Sequence, residues 1–340
     1  DGINTGYDPL QDHQGQFTEI VIYNTALNES QNIIVQNYLS AKYAIPLTDN
    51  DVYNADDSGN GNFDFEVAGI GQISATDFHK EAQGSGLVKV NDAQGLDDNE
   101  FLLWGHDNGN LATTNTNVPT DIANRLNRTW HLSEASTTGT AVDVGLVDMS
   151  FDLTGLTGLN LISTVLLLDA DGDFSTGATQ VVGVAQEGSS VYRFSDVDLT
   201  DGMYFTLASP EQTVILTAPI PVDGVVSGVE SDDLVLQFSL NYVPDTDVTL
   251  DVNISDITTT AGADYTLSSG SVTILAGNTT ATYTIDIIDD DLQESTETFQ
   301  VTLANPSAGV TLSGESSFNY QIENDDSSLI TFTSATGTDT

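Results

Sequence analysis

Apolar residues recur at every second position over long stretches of this chain, and that period of two, broken by Gly, Asn and Asp, restricts it to short β-strands. Val248, Leu250, Val252 and Ile254 share one face, as do Ala281, Tyr283, Ile285 and Ile287, then Phe299, Val301 and Leu303, then Phe318, Tyr320 and Ile322. With 214–218, 233–240 and 265–274 these make about seven strands over residues 211–326, the size of an immunoglobulin-like sandwich. Upstream, residues 48–210 carry FEVAGIG (65–71), GLVKV (86–90), EFLLWGH (100–106), RTWHLSE (128–134), AVDVGLVDMS (141–150), STVLLLDA (163–170), SVYRFSDV (190–197) and GMYFTLA (202–208). Short strands between turn residues predict a second β-sandwich there.

Residues 1–47 differ. A strand, FTEIVIYN (17–24), precedes a helical pattern in which Ile34, Tyr38, Ala41 and Ile45 recur; Asn28 is its N-cap with Gln31 three residues on, and Pro46 stops it. One strand and one helix cannot enclose a core, so this segment is either the end of a domain begun upstream or an element that docks on the next domain. At the other end SLITFTSATGTD (328–339) resembles QTVILTAPIPVD (212–223) at a spacing of 116 residues, which predicts the start of a further repeat over 327–340. The expected fold class is all-β: tandem β-sandwich domains, the immunoglobulin-like module last, with one short helix near the N-terminus.

Cysteine is absent, so packing or metal must brace these domains. The chain carries 51 Asp plus Glu against 6 Lys plus Arg, a formal charge of −45. That field repels phosphate backbones and makes nucleic acid and anionic membrane poor partners. Two uses remain for the carboxylates: a solvated acidic surface, or oxygen ligands for a hard divalent cation. Apolar residues make up 39% of the chain, and their regular spacing argues for folding and against disorder. No run of 18 apolar residues and no basic-then-apolar leader is present, so neither a membrane span nor an export signal is expected within the chain, and any such signal lies upstream of Asp1.

The densest acidic stretch is IIDDDLQESTETF (287–299), where Asp289, Asp290, Asp291, Glu294 and Glu297 crowd a strand end. Glu230 in GVESDD, Asp264 in AGADYT, and Asn324, Asp325 and Asp326 in ENDD belong to the same sandwich. Strand ends distant in sequence meet at one pole of an antiparallel sandwich, so these groups are candidates for a multi-oxygen calcium site, with a solvated acidic loop as the alternative. A second candidate is LLLDADGDFSTG, in which Asp169, Asp171 and Asp173 alternate as in Asp-rich calcium loops; Gln180 stands where an EF-hand has its closing Glu, so either a calcium loop or a plain Asp/Gly turn remains open.

The run from Glu230 through GADYTLSSGSVTILAGNTTATYTIDIIDDDLQESTETFQVTLANP to IENDD resembles a Calx-beta domain over about residues 211–326. The resemblance rests on the Glu after the first strand, the pair Asp264 and Tyr265, the D-D strand ending followed by Glu, the E-x-F of Glu297 and Phe299, and the closing N-D-D. It implies calcium binding, with ligand roles for Glu230, Asp264, Asp289, Asp290, Asp325 and Asp326. The helix after a strand ending in YN resembles the closing piece of a laminin-G/concanavalin-A-like jelly roll. VAGIG, FLLWGHD, RTWHLSE and GMYFTLA resemble the β domain that follows such a jelly roll in secreted proteins of gliding, type IX-secreting bacteria.

Catalysis is not expected. None of His13, His79, His106 and His131 sits in a nucleophile-elbow or zincin frame, and Trp104 and Trp130 read as core residues. Glu294 and Glu297 could pair as glycosidase carboxylates, but that needs two carboxyls in divergent environments across a cleft, and one crowded acidic loop is better explained by metal. The expected function is therefore a calcium-stabilised, non-enzymatic structural and adhesive segment of a large extracellular, cell-surface bacterial protein. Its expected partners are calcium and either surface glycans or neighbouring copies. The alternatives are an ancillary carbohydrate-binding region of a polysaccharide-degrading enzyme and a subunit of an extracellular filament.

Overall fold

The computed structural model describes residues 19–84, 87–160, 162–185, 190–266 and 270–327. His13, most of the predicted repeat at 327–340 and the start of the predicted strand at 17–24 lie outside the described residues. What is described is almost entirely β, with one helix, Glu29–Tyr43, near the start.

The first domain stacks two sheets. The larger has nine strands, with Val165–Asp169, Tyr204–Pro210, Trp130–Ser136, Glu100–His106 and Phe65–Ser74 adjacent in that order. The smaller has five, centred on Val191–Val197, Val147–Asp152 and Val88–Asn91. Between them lies one core that includes Ile70, Leu102, Leu132, Leu166 and Phe205 from the larger sheet and Val90, Met149, Phe151 and Phe194 from the smaller. Both tryptophans are buried in it, as expected.

The other face of the large sheet is also covered, by the helix and by residues 52–63. Ile33, Ile34 and Ala41 pack with Tyr53, Phe63, Phe101 and Leu103. A strand buried on both faces needs apolar residues at every position, and this is why EFLLWGH and VLLLD read as continuous apolar runs. The helix thus docks on the following sheet. Its capping box between Asn28 and Gln31 forms as predicted. Asp77 accepts hydrogen bonds from the Glu29 and Ser30 amides, tying the helix N-terminus to the sheet edge.

Several boundaries are corrected. Residues 19–24 form no strand; Ile20 and Ile22 are exposed, with no ladder to join. The helix ends at Tyr43, where Ala44 turns left-handed (φ 52°), so Ile45 is outside it and exposed. Of the predicted strand at 141–150 only the end is strand, Val147–Asp152; Gly145 at φ +71° bends the chain before it.

The second domain is a sandwich of nine strands, two more than the alternation predicted. Four strands (Thr280–Ile285, Leu234–Leu240, Gln212–Ala218, Val310–Ser313) face five (Val225–Val229, Ser317–Glu323, Glu297–Ala304, Val248–Asp256, Gly270–Ile274). The extra strands arise because both ends of the domain cross between sheets. Gln212–Ala218 runs parallel to Val310–Ser313 in one sheet, and the chain then enters the other, where Val225–Val229 runs parallel to Ser317–Glu323. The alternating residues meet in one core of Leu236, Phe238, Leu250, Val252, Phe299, Val301 and Tyr320. Among the described residues between 265 and 274, Gly270–Ile274 is strand; Tyr265 makes isolated bridges and buries its ring against Phe299 at 4.8 Å.

Candidate metal centre

The parallel strands Val225–Val229 and Ser317–Glu323 both end at one pole of the second domain, which places Glu230 beside Asn324, Asp325 and Asp326. The antiparallel strand Glu297–Ala304 begins at that pole and Val248–Asp256 ends there, with Phe299 opposite Asp256. The 257–264 and 286–296 connections therefore crowd the same pole.

Two groups of carboxylates converge. Glu230, Asp325 and Asp326 form one, and Asp264, Glu294 and Glu297 the other; in each group one oxygen per residue lies within 4.8 Å of the others. Glu230, Asp264, Asp290, Glu294 and Glu297 line one small crevice, which joins the two groups. Each has a buried or half-buried member behind an exposed one: Glu230 behind Asp325, and Glu297 behind Glu294.

Few donors serve these oxygens. Glu230 Oε1 accepts from Asn324 Nδ2 (2.8 Å) and the Asp325 amide (3.2 Å). Asp264 accepts from the Thr260 amide, and Asp290 from the Leu292 amide at 2.7 Å. Glu297 Oε2 and Asp326 Oδ2 are buried without any hydrogen-bond partner. The last basic residue of the sequence is Arg193, so no Lys, Arg or His of this domain opposes the carboxylates. Desolvation, then the hydrogen bond and the charge shared with Asp264, push the Glu297 carboxyl up to about 7. Burial and the neighbouring Asp326 and Asp325 raise Glu230, and burial with Asp291, Asp325, Asp289 and Asp290 raises Asp326. A hard divalent cation reverses each of these shifts by supplying the missing charge and the missing partner.

The Asp169, Asp171 and Asp173 loop is built otherwise. Asp169 Oδ1 accepts from the Asp171 and Gly172 amides (2.9 and 2.7 Å), Asp171 Oδ1 from the Asp173 amide (2.9 Å), and Asp173 Oδ1 from Ser175 Oγ (2.6 Å). Gly172 at φ +81° permits the turn, and Asn117 clamps it through the Gly172 carbonyl and the Ser175 amide. These three carboxylates belong to neither convergent group among the described residues.

Two of the histidines singled out in the sequence have structural partners. His131 stacks on Tyr204 at 4.0 Å and its Nε2 meets the Gly202 carbonyl at 2.9 Å; His106 Nε2 meets Glu66 at 3.1 Å.

Comparison with known proteins divides the chain at the same place as its two cores. Residues 31–203, just over half of the chain, match the family described as Domain of unknown function (DUF8202). The chain belongs to that family. Residues 226–326 match the Calx-beta domain, so the acidic pole is that of a Calx-beta domain. No curated protein matches the chain. Among solved structures, the apo form of the Calx CBD1 domain is 24% identical over 34% of this chain and 98% of its own, with a TM-score of 0.30. CBD12 from CALX1.2 is 24% identical over 34% of this chain and 46% of its own, at 0.30. A two-domain protein with unknown function from Bacteroides fragilis is 11% identical over 34% of this chain and 46% of its own, at 0.26. The chain thus spans under half the length of both two-domain structures.

Within the Calx-beta domain, Glu230, Asp264, Glu294, Asp325 and Asp326 lie in the convergent groups and Asp290 lines the crevice between them. Asp289 and Asp291 are exposed and act on the pole through their charge on Asp326. Glu297, part of the acidic cluster in the sequence but not among the ligands the Calx-beta resemblance implies, is a member of the second group. Its signal was available: it lies two residues before Phe299, so it shares the inward face of its strand. Asn324, which bridges Glu230 to the Leu292 carbonyl at 3.1 Å, was noted only as part of ENDD.

Proposed function

We propose that the Calx-beta domain binds calcium at this pole and that the ion locks the strand ends there, making the module a stiff unit. The observation that carries the reading is the convergence of two carboxylate groups on one crevice, with Glu297 Oε2 and Asp326 Oδ2 buried and unpartnered. Buried charge without a partner is strongly unfavourable, and an oxygen-only donor set fits calcium, which accepts six to eight oxygens in flexible geometry. Glu230, Asp264, Glu294, Glu297, Asp325 and Asp326 are the proposed ligands, with Asp290 beside them. The match to the Calx-beta family, one of whose similar structures is titled a calcium-binding domain, supports the same reading.

The wider role we infer is that of a spacer in a secreted, cell-surface adhesive protein. The acidic, cysteine-free composition and two successive β-sandwiches support it, and no helix among the described residues is long and apolar enough to cross a membrane. Thermal unfolding of the full chain in excess calcium, in magnesium and in chelator tests the calcium reading. A calcium-specific rise upholds it, and identical transitions in all three overturn it.

A further inference from the structure

The first domain also buries a carboxylate that has no hydrogen-bond partner, at Glu134. Trp130 and Leu132 point into the space between its two sheets, so Glu134, next in that alternation on the strand Trp130–Ser136, points there too. The Val144 backbone lies beside it. Glu134 itself is 0% exposed, and neither of its carboxylate oxygens has a hydrogen-bond partner. Few buried polar groups go unpartnered, and a buried carboxylate is among the least tolerable of them.

Every charged group that bears on Glu134 is negative: Asp143, Asp201 and Asp198. Asp201 Oδ1 accepts the Glu134 amide at 3.0 Å, and Asp143 Oδ1 accepts the Gly145 amide at 2.8 Å, which leaves the second oxygen of each aspartate for another partner. All three aspartates are exposed, on loops. Burial, then these three charges, pushes the Glu134 carboxyl up to about 8; the nearby Val144 amide offsets part of this without completing a hydrogen bond. Two states relieve such a group: a proton, or a cation shared with the loops.

We propose that Glu134 is the floor of a second divalent-cation site, with Asp143, Asp198 and Asp201 at its mouth and calcium the best-fitting ion. The donors are again oxygen only, which disfavours softer metals, and donors drawn from a strand and two connections suit the tolerant geometry of calcium better than the strict octahedron of magnesium. Unlike the Calx-beta groups, these carboxylates are not drawn within 4.8 Å of one another. An ion shared by Glu134 and the aspartates draws the two loops inward.

Both tryptophans lie in the core of this domain, so their emission reports its unfolding separately from the Calx-beta domain. The test uses the full chain carrying Asp264→Asn and Glu297→Gln, which disables the Calx-beta pole, so failure of that site leaves this readout intact. Calcium at about a hundred times its dissociation constant is expected to raise the tryptophan-detected melting temperature by about 5–10 °C over chelator. Adding Glu134→Gln, a neutral isostere, is expected to abolish that rise while leaving the transition in chelator unchanged or higher. If that variant does not fold, the exposed pair Asp143→Asn and Asp198→Asn gives the same readout, with loss of the rise supporting the site. No rise in the background chain, or a full rise after either substitution, overturns the proposal and leaves Glu134 a buried neutral acid.

Discussion

The loop at Asp169, Asp171 and Asp173 and the pole at Glu230 to Asp326 are both crowded with carboxylates, yet the chain treats them in opposite ways. In the loop, each aspartate is followed within three residues by a backbone amide or hydroxyl that it accepts, so the backbone itself supplies the positive ends of the dipoles. At the pole the carboxylates arrive from four separate connections; Glu230, Asp264 and Asp290 have nitrogen donors, but Glu297 Oε2 and Asp326 Oδ2 have none. Acidic density therefore does not decide whether a cation is needed. What separates the two regions is buried carboxylate oxygen left without a donor, which the pole has at Glu297 and Asp326.

Metal removal is the sharpest way to break this comparison. Calcium at about a hundred times its dissociation constant stabilises by about 2.7 kcal/mol, which raises the transition of a module of about 100 residues by roughly 10–20 °C in calorimetry of the full chain. An unshifted transition makes the two regions equivalent after all. Asp169→Ala then probes the opposite dependence: it orphans two amides and costs about 1.5–3 kcal/mol with or without calcium. A calcium-dependent cost, read from denaturant melts in both buffers, removes the distinction.

Glu230→Gln keeps the shape of the buried ligand and removes its charge. It is expected to weaken calcium binding about tenfold, or ~1.4 kcal/mol, in isothermal titration. Asp171→Asn is the matched control, expected to leave the affinity unchanged and stability within about 0.5 kcal/mol.

A pH titration sharpens the comparison further. Glu297 titrates at about 7 in the folded domain against a reference of 4.5, so the metal-free fold binds more protons than the unfolded chain between those values. Its stabilising contribution is present below pH 4.5 and lost as pH rises through about 7. Melting temperatures in chelator should therefore fall over that window, and Glu297→Gln should flatten the fall. In excess calcium the pole is held charged, and the fall should disappear. A fall that survives both calcium and Glu297→Gln places its origin elsewhere.

Much of this was legible in the sequence because it depends on neighbours two to four residues away. The alternation of Phe299, Val301 and Leu303 assigns an inward face, the capping box of Asn28 and Gln31 starts the helix, and GVESDD, GADYT, IIDDD and ENDD mark strand ends that a sandwich must gather. The failures also have local causes. FTEIVIYN alternates as a strand does, but residues 19–24 find no edge to pair with. The strand count fell short because the sheet crossings after Ala218 and Ser313 depend on which partner each half finds.

By itself the sequence determined the all-β class and the set of acidic loops, which follow from periodicity, turn chemistry and composition, and it carried the motifs of the Calx-beta resemblance. Only the tertiary structure decided which carboxylates face one another. It chose Glu297 over Asp289 and Asp291, closed the Asp169 loop on its own amides, and buried Glu134 beneath three aspartates 9, 64 and 67 residues further along the chain. Charges separated in sequence repel or share an ion only at the distances that strand pairing sets, and one residue of register turns a side chain from the inter-sheet layer to solvent.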